Sequence, residues 1–102
     1  DVSFVIQGAS IEPRNPESVR LVLLVRMNNR SAYGANLWDA NFRLLTHNAV
    51  IPANGGLNVV VDPRSDSMLE RVQFVVPLSS VPRALKLEHG GESVELPLRF
   101  VP

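Results

Sequence analysis

The chain has 102 residues with ten basic and ten acidic side chains, so its formal net charge is zero. This balance excludes the basic surface that binders of nucleic acids and anionic membranes carry, and the absence of cysteine excludes disulfides, thiolate metal sites and cysteine catalysis. A hydrophobic fraction of 45% is typical of a folded chain, and the length suits one hydrophobic core.

The first 17 residues predict one short strand followed by a loop. Apolar and polar residues alternate over residues 2–7, which is the period of a half-buried strand. Residues 12–17 contain two prolines. Because proline has no backbone N–H and fixes its own φ, we expect this segment to be a loop and not part of a sheet.

Residues 19–27 contain the most informative apolar run and predict a central strand. One face is entirely apolar, while the other has apolar residues in its middle and an arginine near each end. A strand with this pattern is buried on one face and partly covered on the other. The predicted core face consists of Val19, Leu21, Leu23, Val25 and Met27. The asparagines and the serine over residues 28–31 then predict a turn.

Alternation returns over residues 37–45 and predicts one further strand. It places Trp38 on the same face as Phe42 and Leu44, so we expect this tryptophan to fill the core. Residues 53–56 are rich in glycine and predict a turn. A short strand is expected over residues 59–61, where it is ended by an Asp-Pro pair.

The last third of the chain predicts one strand and a hairpin. Residues 69–76 alternate around Phe74, and the runs on either side of Gly90 and Gly91 alternate in the same way. Glycine adopts positive φ at low cost, so this Gly-Gly pair predicts a tight hairpin turn that leads into a run ending at Phe100.

These elements predict an all-β fold, namely an immunoglobulin-like antiparallel β-sandwich of about seven strands that spans residues 1–102 as a single domain. An open barrel is the alternative. No window shows sustained helical periodicity, so we expect helix to be confined to a turn or so. No apolar stretch reaches the roughly 20 residues that a membrane-spanning helix needs, so no direct membrane insertion is expected.

The order of three motifs resembles a family of secreted bacterial immunoglobulin-like domains. The motifs are Asn29-Arg30-Ser31 after the long apolar strand, Phe42-Arg43-Leu44-Leu45, and Phe74-Val75-Val76-Pro77. These domains often occur in lipoproteins and share the sandwich of the immunoprotective extracellular protein type. The resemblance implies an extracytoplasmic, non-catalytic domain and carries no site residues. In one departure, residues 47–52 lack the Asp-Gly turn expected after the aromatic strand.

No catalytic motif is present, and we predict that the protein is not an enzyme. A serine hydrolase needs a nucleophile in a strained turn such as Gly-x-Ser-x-Gly, whereas Ser79 and Ser80 lie between two prolines. We expect no cofactor and no metal. A copper site of His47, His89, Met27 and Met68, or a calcium loop of Asp62 and Asp66, would require the fold to bring these residues together.

Two hypotheses for the function therefore remain. The first is an interaction or structural module with a protein partner, acting through loops or through strand addition at a sheet edge. Tyr33 is its candidate contact residue, because it alone among the aromatic residues falls in a loop, between Ser31 and Ala35. The second is a small-ligand or metal-binding accessory domain, if the loops of His47, His89 and the two aspartates converge.

Overall fold

The computed structural model describes residues 1–99 and consists of antiparallel β-sheets. The strands are β1 (Val2–Asn15), β2 (Ser18–Asn29), β3 (Ala35–Trp38), β4 (Phe42–Thr46), β5 (Val50–Pro52), β6 (Asn58–Val61), β7 (Ser65–Asp66), β8 (Glu70–Pro77), β9 (Pro82–His89) and β10 (Glu92–Pro97). One 3₁₀ turn, Asp39–Asn41, is the helical element of the described part. The all-β prediction is therefore confirmed, and no helix within residues 1–99 is long and apolar enough to cross a membrane.

The strands form two main sheets and a two-stranded ribbon. In the first sheet β2 lies at the centre, with β1 on one side and β7 and β8 on the other. The second sheet has the order β10-β9-β4-β5, and β3 pairs with β6 in the ribbon. Residues 1–99 form ten strands instead of the predicted seven or so, because the run over residues 37–45 is split and two very short strands, β5 and β7, are added. The immunoglobulin-like variant of this architecture stays a prediction.

The core lies between the inward faces of β2 and β8 on one side and of β4 and β9 on the other. The predicted inward face of β2 is confirmed, since Leu23, Val25 and Met27 are fully buried. The largest buried side chains of the described residues are Phe42 and Phe74. One cluster of buried apolar residues spans both sheets, so burial of apolar area holds the two sheets together.

The first strand is much longer than predicted. β1 continues to Asn15 and pairs with β2 along its whole length, through a register shift between Ile6 and Gly8. The prediction of a loop over residues 12–17 was wrong for its first four positions. Pro13 is tolerated because β1 lies at the edge of the first sheet. In an edge strand or a bulge, a proline can take a position whose N–H would not bond to a neighbouring strand.

The prediction that Trp38 fills the core was wrong. Trp38 is 44% exposed, whereas Leu37 is fully buried. The 3₁₀ turn of Asp39–Asn41 separates β3 from β4. Three residues in a helical turn shift the alternation, so the inward positions change from odd numbers in β3 to even numbers in β4. Phe42 and Leu44 are inward as predicted, and Phe100 lies outside the described residues.

Asn29 is a fully buried polar side chain at the end of β2. Its amide nitrogen donates to the backbone carbonyls of Tyr33 (2.8 Å), Val61 (3.1 Å) and Asp62 (3.2 Å). Its side-chain oxygen accepts from the backbone N–H of Ser31 (3.0 Å). Asn29 therefore joins the end of β2 to the loop before β3 and to the end of β6.

Leu23→Ala is expected to lower the free energy of unfolding by about 2–5 kcal/mol, because it leaves a cavity in the core. Leu24→Ala is the matched control on the opposite face of the same strand. Leu24 is 42% exposed, so its truncation should cost less than about 1 kcal/mol. Urea denaturation measures both values, and equal losses would contradict the assignment of the two faces.

Asn29→Ala should destabilise the domain by about 2–4 kcal/mol, because it removes several hydrogen bonds and leaves buried carbonyl groups without a donor. Asn28→Ala is the control. The Asn28 side chain makes one long, exposed hydrogen bond to Ser3 Oγ, at 3.4 Å. Thermal and urea unfolding of the two variants provide the comparison, and similar stabilities would show that the buried network contributes little.

Candidate functional site

The β9–β10 hairpin separates two surface depressions of the described part of the domain. Gly90 and Gly91 have φ values of 58° and 81° and connect His89 directly to Glu92, which are a strand pair. Two positive φ values in a two-residue loop are characteristic of a type I′ turn, whose twist matches that of the strands. The predicted Gly-Gly hairpin is thus confirmed, and its turn fixes the register of β10.

This register decides which backbone groups of β10 point away from β9. The N–H of Leu98 donates to the carbonyl of Arg83 (2.9 Å), so even-numbered residues form the hydrogen-bonded pairs. In an antiparallel ladder the alternate residues direct their N–H and C=O groups to the other side. Ser93 and Glu95 therefore present an N–H and a carbonyl to the free edge, and Pro97 presents a carbonyl there.

β10 is an edge strand whose side chains are all exposed. Among residues 1–99, β10 has one neighbouring strand, β9. All six residues of β10 are exposed. Val94 and Leu96 are apolar and nevertheless exposed to 53% and 37%. An apolar edge strand with free backbone groups is a template for pairing with another chain.

A groove lies between β10 and β1, which we call the seam. Its first part has a volume of about 620 Å³ and is lined by Val2, Phe4, Val94 and Leu96, among others. Its second part has a volume of about 380 Å³ and joins Ile11 to Leu98. These neighbours show that β1 and β10 run in the same direction along the two sides of the seam.

The opposite side of the sandwich is bridged. There the N–H of Asn54 donates to the carbonyl of Gln73 in β8 (3.0 Å), and β5 contacts β8. The edge of β1 is interrupted by the register shift at Gly8 and by Pro13, both of which disfavour regular pairing. β10 is therefore better suited than β1 to accept a further strand, since its one proline, Pro97, is its last residue.

The second depression is an open cleft beside Trp38. It has a volume of about 700 Å³ and lies between the β3–β6 ribbon and the hairpin. Its lining residues are Asn36, Trp38, Ala40, Asn41, Lys86, Glu88, His89, Gly90, Gly91, Glu92 and Ser93. This volume falls within the roughly 300–1,000 Å³ of small-molecule sites.

Asn41 holds the two walls of this cleft together. It is buried, its side-chain oxygen accepts from the backbone N–H of Trp38 (2.9 Å), and its amide nitrogen donates to the carbonyl of Glu88 in β9 (2.8 Å). One amide group thus fixes Trp38 relative to the strand that leads into the hairpin, and the relative position of the two walls depends on it.

The polar groups around Trp38 are varied and include one ammonium and two carboxylates. Lys86 Nζ lies 3.3 Å from a carboxylate oxygen of Glu88, and Glu92 adds a further carboxylate on the hairpin. On the ribbon, the amide nitrogen of Asn36 donates to the side-chain oxygen of Asn58 (3.2 Å). The cleft therefore offers amide, ammonium and carboxylate groups around one indole ring.

Tyr33, the candidate contact residue, is 80% exposed in the loop before β3. Its backbone carbonyl accepts hydrogen bonds from Asn29 and from Ser31. These bonds hold the loop in place and leave the ring at the surface. Tyr33 lines neither the seam nor the cleft, so its role as a partner contact stays a prediction.

The two histidines do not converge. His47 accepts a hydrogen bond from the N–H of Val81, just before β9 begins, whereas His89 is the last residue of β9. With about 3.3 Å per residue, the length of this strand separates them by over 20 Å. Asp66 pairs with Arg30 (3.2 Å). Within residues 1–99, no group of three or more histidine, aspartate or glutamate side chains is placed to hold a metal ion.

Asn41→Ala is expected to destabilise the domain by about 2–4 kcal/mol, because two buried backbone groups lose their partner. It should also change the fluorescence of Trp38, the one tryptophan of the chain. Asn36→Ala, which removes an exposed amide, should change the stability by about 0.5 kcal/mol or less. Urea unfolding followed by indole emission measures both effects, and an unchanged Asn41→Ala protein would contradict the bridging role.

Comparison with known proteins identifies no relative. No protein-family model, no curated protein and no solved structure matches this chain. The resemblance to secreted bacterial immunoglobulin-like domains consequently stays a prediction that depends on three sequence motifs. The functional argument depends on the surfaces described above, namely the free edge of β10 with its seam and the cleft beside Trp38.

Proposed function

We propose that the protein is a non-catalytic interaction module of a bacterial cell-envelope or secreted protein, and that it binds an extended segment of a partner protein along β10. The free edge of β10 carries this proposal. A partner strand running antiparallel to β10 would find the outward N–H groups of Ser93 and Glu95, and backbone hydrogen bonds of this kind provide affinity in strand addition. The envelope location is supported by the family resemblance alone.

The side chains of β10 and the seam define the partner segment. Val94 and Leu96 border the seam together with Val2 and Phe4 of β1, so the partner should place an apolar side chain at every second position, where it can contact these residues. β10 carries two carboxylates, Glu92 and Glu95, and no basic residue. Charge complementarity therefore favours a partner segment with lysine or arginine between its apolar positions.

A small-ligand role for the same module is the second candidate. It is favoured by one observation, the cleft beside Trp38, which has the size and the polar lining of a ligand site. The structure disfavours the metal-binding version of this candidate, because His47 and His89 lie at opposite ends of β9.

Glu95→Pro tests strand addition directly. It removes an outward N–H of β10 and leaves the bonds to β9 intact, since residue 95 is not in a hydrogen-bonded pair; Pro97 already occupies an equivalent position. Glu95→Gln is the matched control, because it changes the side chain and keeps the N–H. Peptides selected from a random displayed library for binding to the wild-type domain should bind Glu95→Pro about tenfold more weakly or worse and keep most of their affinity for Glu95→Gln.

Amide hydrogen exchange provides the second measurement of this experiment. A bound strand should slow exchange at Ser93 and Glu95, which otherwise face solvent, and leave the β9-bonded amides of Val94 and Leu96 little changed. Selected peptides that bind without protecting Ser93 and Glu95, and that tolerate Glu95→Pro, would refute strand addition at β10.

A further inference from the structure

We infer that the cleft beside Trp38 is a binding site for a neutral oligosaccharide chain, with the indole ring as the stacking platform. The cleft meets β10 at Glu92 and Ser93 and does not include Glu95. The inference rests on the small-ligand candidate of the preceding subsection and does not depend on the strand-addition proposal. The inference depends on the exposure of Trp38, on the shape of the cleft and on the chemistry of its lining.

The exposure of Trp38 is fixed by the backbone. In β3, Ala35 and Leu37 point into the core, and Asn36 and Trp38 point outward. The backbone of Trp38 is fixed further by the hydrogen bond from its main-chain N–H to the buried Asn41. A large aromatic side chain is thus directed to the surface, where 44% of its area is exposed. Tryptophan side chains contribute much of the energy at many binding sites.

The cleft is open to solvent. The ribbon residues Asn36 and Trp38 lie on one side of it, and Lys86, Glu88 and the hairpin lie on the other. The space has a volume of about 700 Å³, and polar residues make up most of its lining. An oligosaccharide can leave part of its chain in solvent, so an open cleft suits it better than a compact molecule that requires enclosure.

The chemistry of the lining suits a sugar. A pyranose ring has one face of C–H groups, which can cover an indole ring, and a rim of hydroxyl groups that each donate and accept hydrogen bonds. Amide side chains also donate and accept, whereas carboxylate groups accept and ammonium groups donate. Asn36, Glu88 and Lys86 provide one of each type around Trp38, so the rim hydroxyls of a stacked sugar would find complementary partners.

The mixed polar lining distinguishes a sugar from the other ligands that use a tryptophan platform. A cationic side chain stacks on indole through its charge and would use only the carboxylates of the lining, one of which already pairs with Lys86. Bases of single-stranded nucleic acids stack on aromatic rings within positively charged grooves, and Lys86 is the single Lys or Arg side chain of this lining. A hydroxyl-rich ligand can use the amide, the ammonium and the carboxylate groups together.

The test uses the intact 102-residue chain and hexasaccharides of glucose, xylose, mannose, galactose and N-acetylglucosamine. Trp38 is the one tryptophan, so its emission reports the proposed site alone. We expect at least one hexasaccharide to shift this emission saturably, and to shift the amide resonances of Gly90 and Gly91 in the opposite wall. Tetra-arginine is the cationic probe, and it should leave the Trp38 emission unchanged.

Trp38→Ala should weaken oligosaccharide binding about tenfold or more, equivalent to about 1.4 kcal/mol. Since this variant has no tryptophan, the amide resonances of Gly90 and Gly91 measure its binding. Tyr33→Ala is the control, because it removes an exposed aromatic ring that does not line the cleft. Both variants should fold, since both rings are at the surface, and circular dichroism checks this. Glu95→Pro should leave oligosaccharide binding unchanged, which separates this site from strand addition.

Three results would overturn the inference. The first is the absence of any emission or amide shift with every hexasaccharide of the panel. The second is undiminished binding to a folded Trp38→Ala protein. The third is a response of Trp38 to tetra-arginine without a response to the sugars, which would assign the cleft to a cationic ligand.

Discussion

A buried amide must satisfy both its donor and its acceptor, and this constraint fixes the surfaces of the domain. Asn29 and Asn41 are buried asparagines at the two ends of the segment that leaves the core sheets. Asn29 joins the end of β2 to the ribbon, and Asn41 joins Trp38 to β9. Because an unpaired buried amide costs about 1–3 kcal/mol, these contacts give the ribbon one position on the sandwich. The cleft exists because that position places Trp38 opposite the hairpin.

Sequence patterning was most successful where a whole strand lies in one environment. β2 and β8 are buried along one face, so their alternation identified Leu23 and Phe74 as core residues, and the Gly-Gly turn needed no tertiary information at all. The length of β1 was missed because Pro13 was read as a loop signal. At an edge, one side of the strand bonds to no neighbour, and a proline there removes no ladder bond.

Trp38 shows why the candidate site could not be predicted. Its alternation with Phe42 and Leu44 is regular in the sequence, and only the 3₁₀ turn between them reverses the outward direction. Leu37 was the available signal, since a continuous strand would have placed this leucine on the outward face together with Asp39 and Asn41. The cleft also needs the hairpin, some 50 residues later, and no local pattern reports that two distant segments meet.

β10 completes the argument for a binding role. All six of its residues are exposed, so it contributes little of the apolar burial that stabilises the sandwich. It is held by its pairing with β9 and by a turn whose two glycines are costly to order on folding. A strand that adds little to the core and yet lines both the seam and the cleft contributes more to binding surfaces than to stability. The hairpin borders two such surfaces. One is the free edge of β10, with its outward N–H groups, and the other is the cleft, where the hairpin lies opposite Trp38.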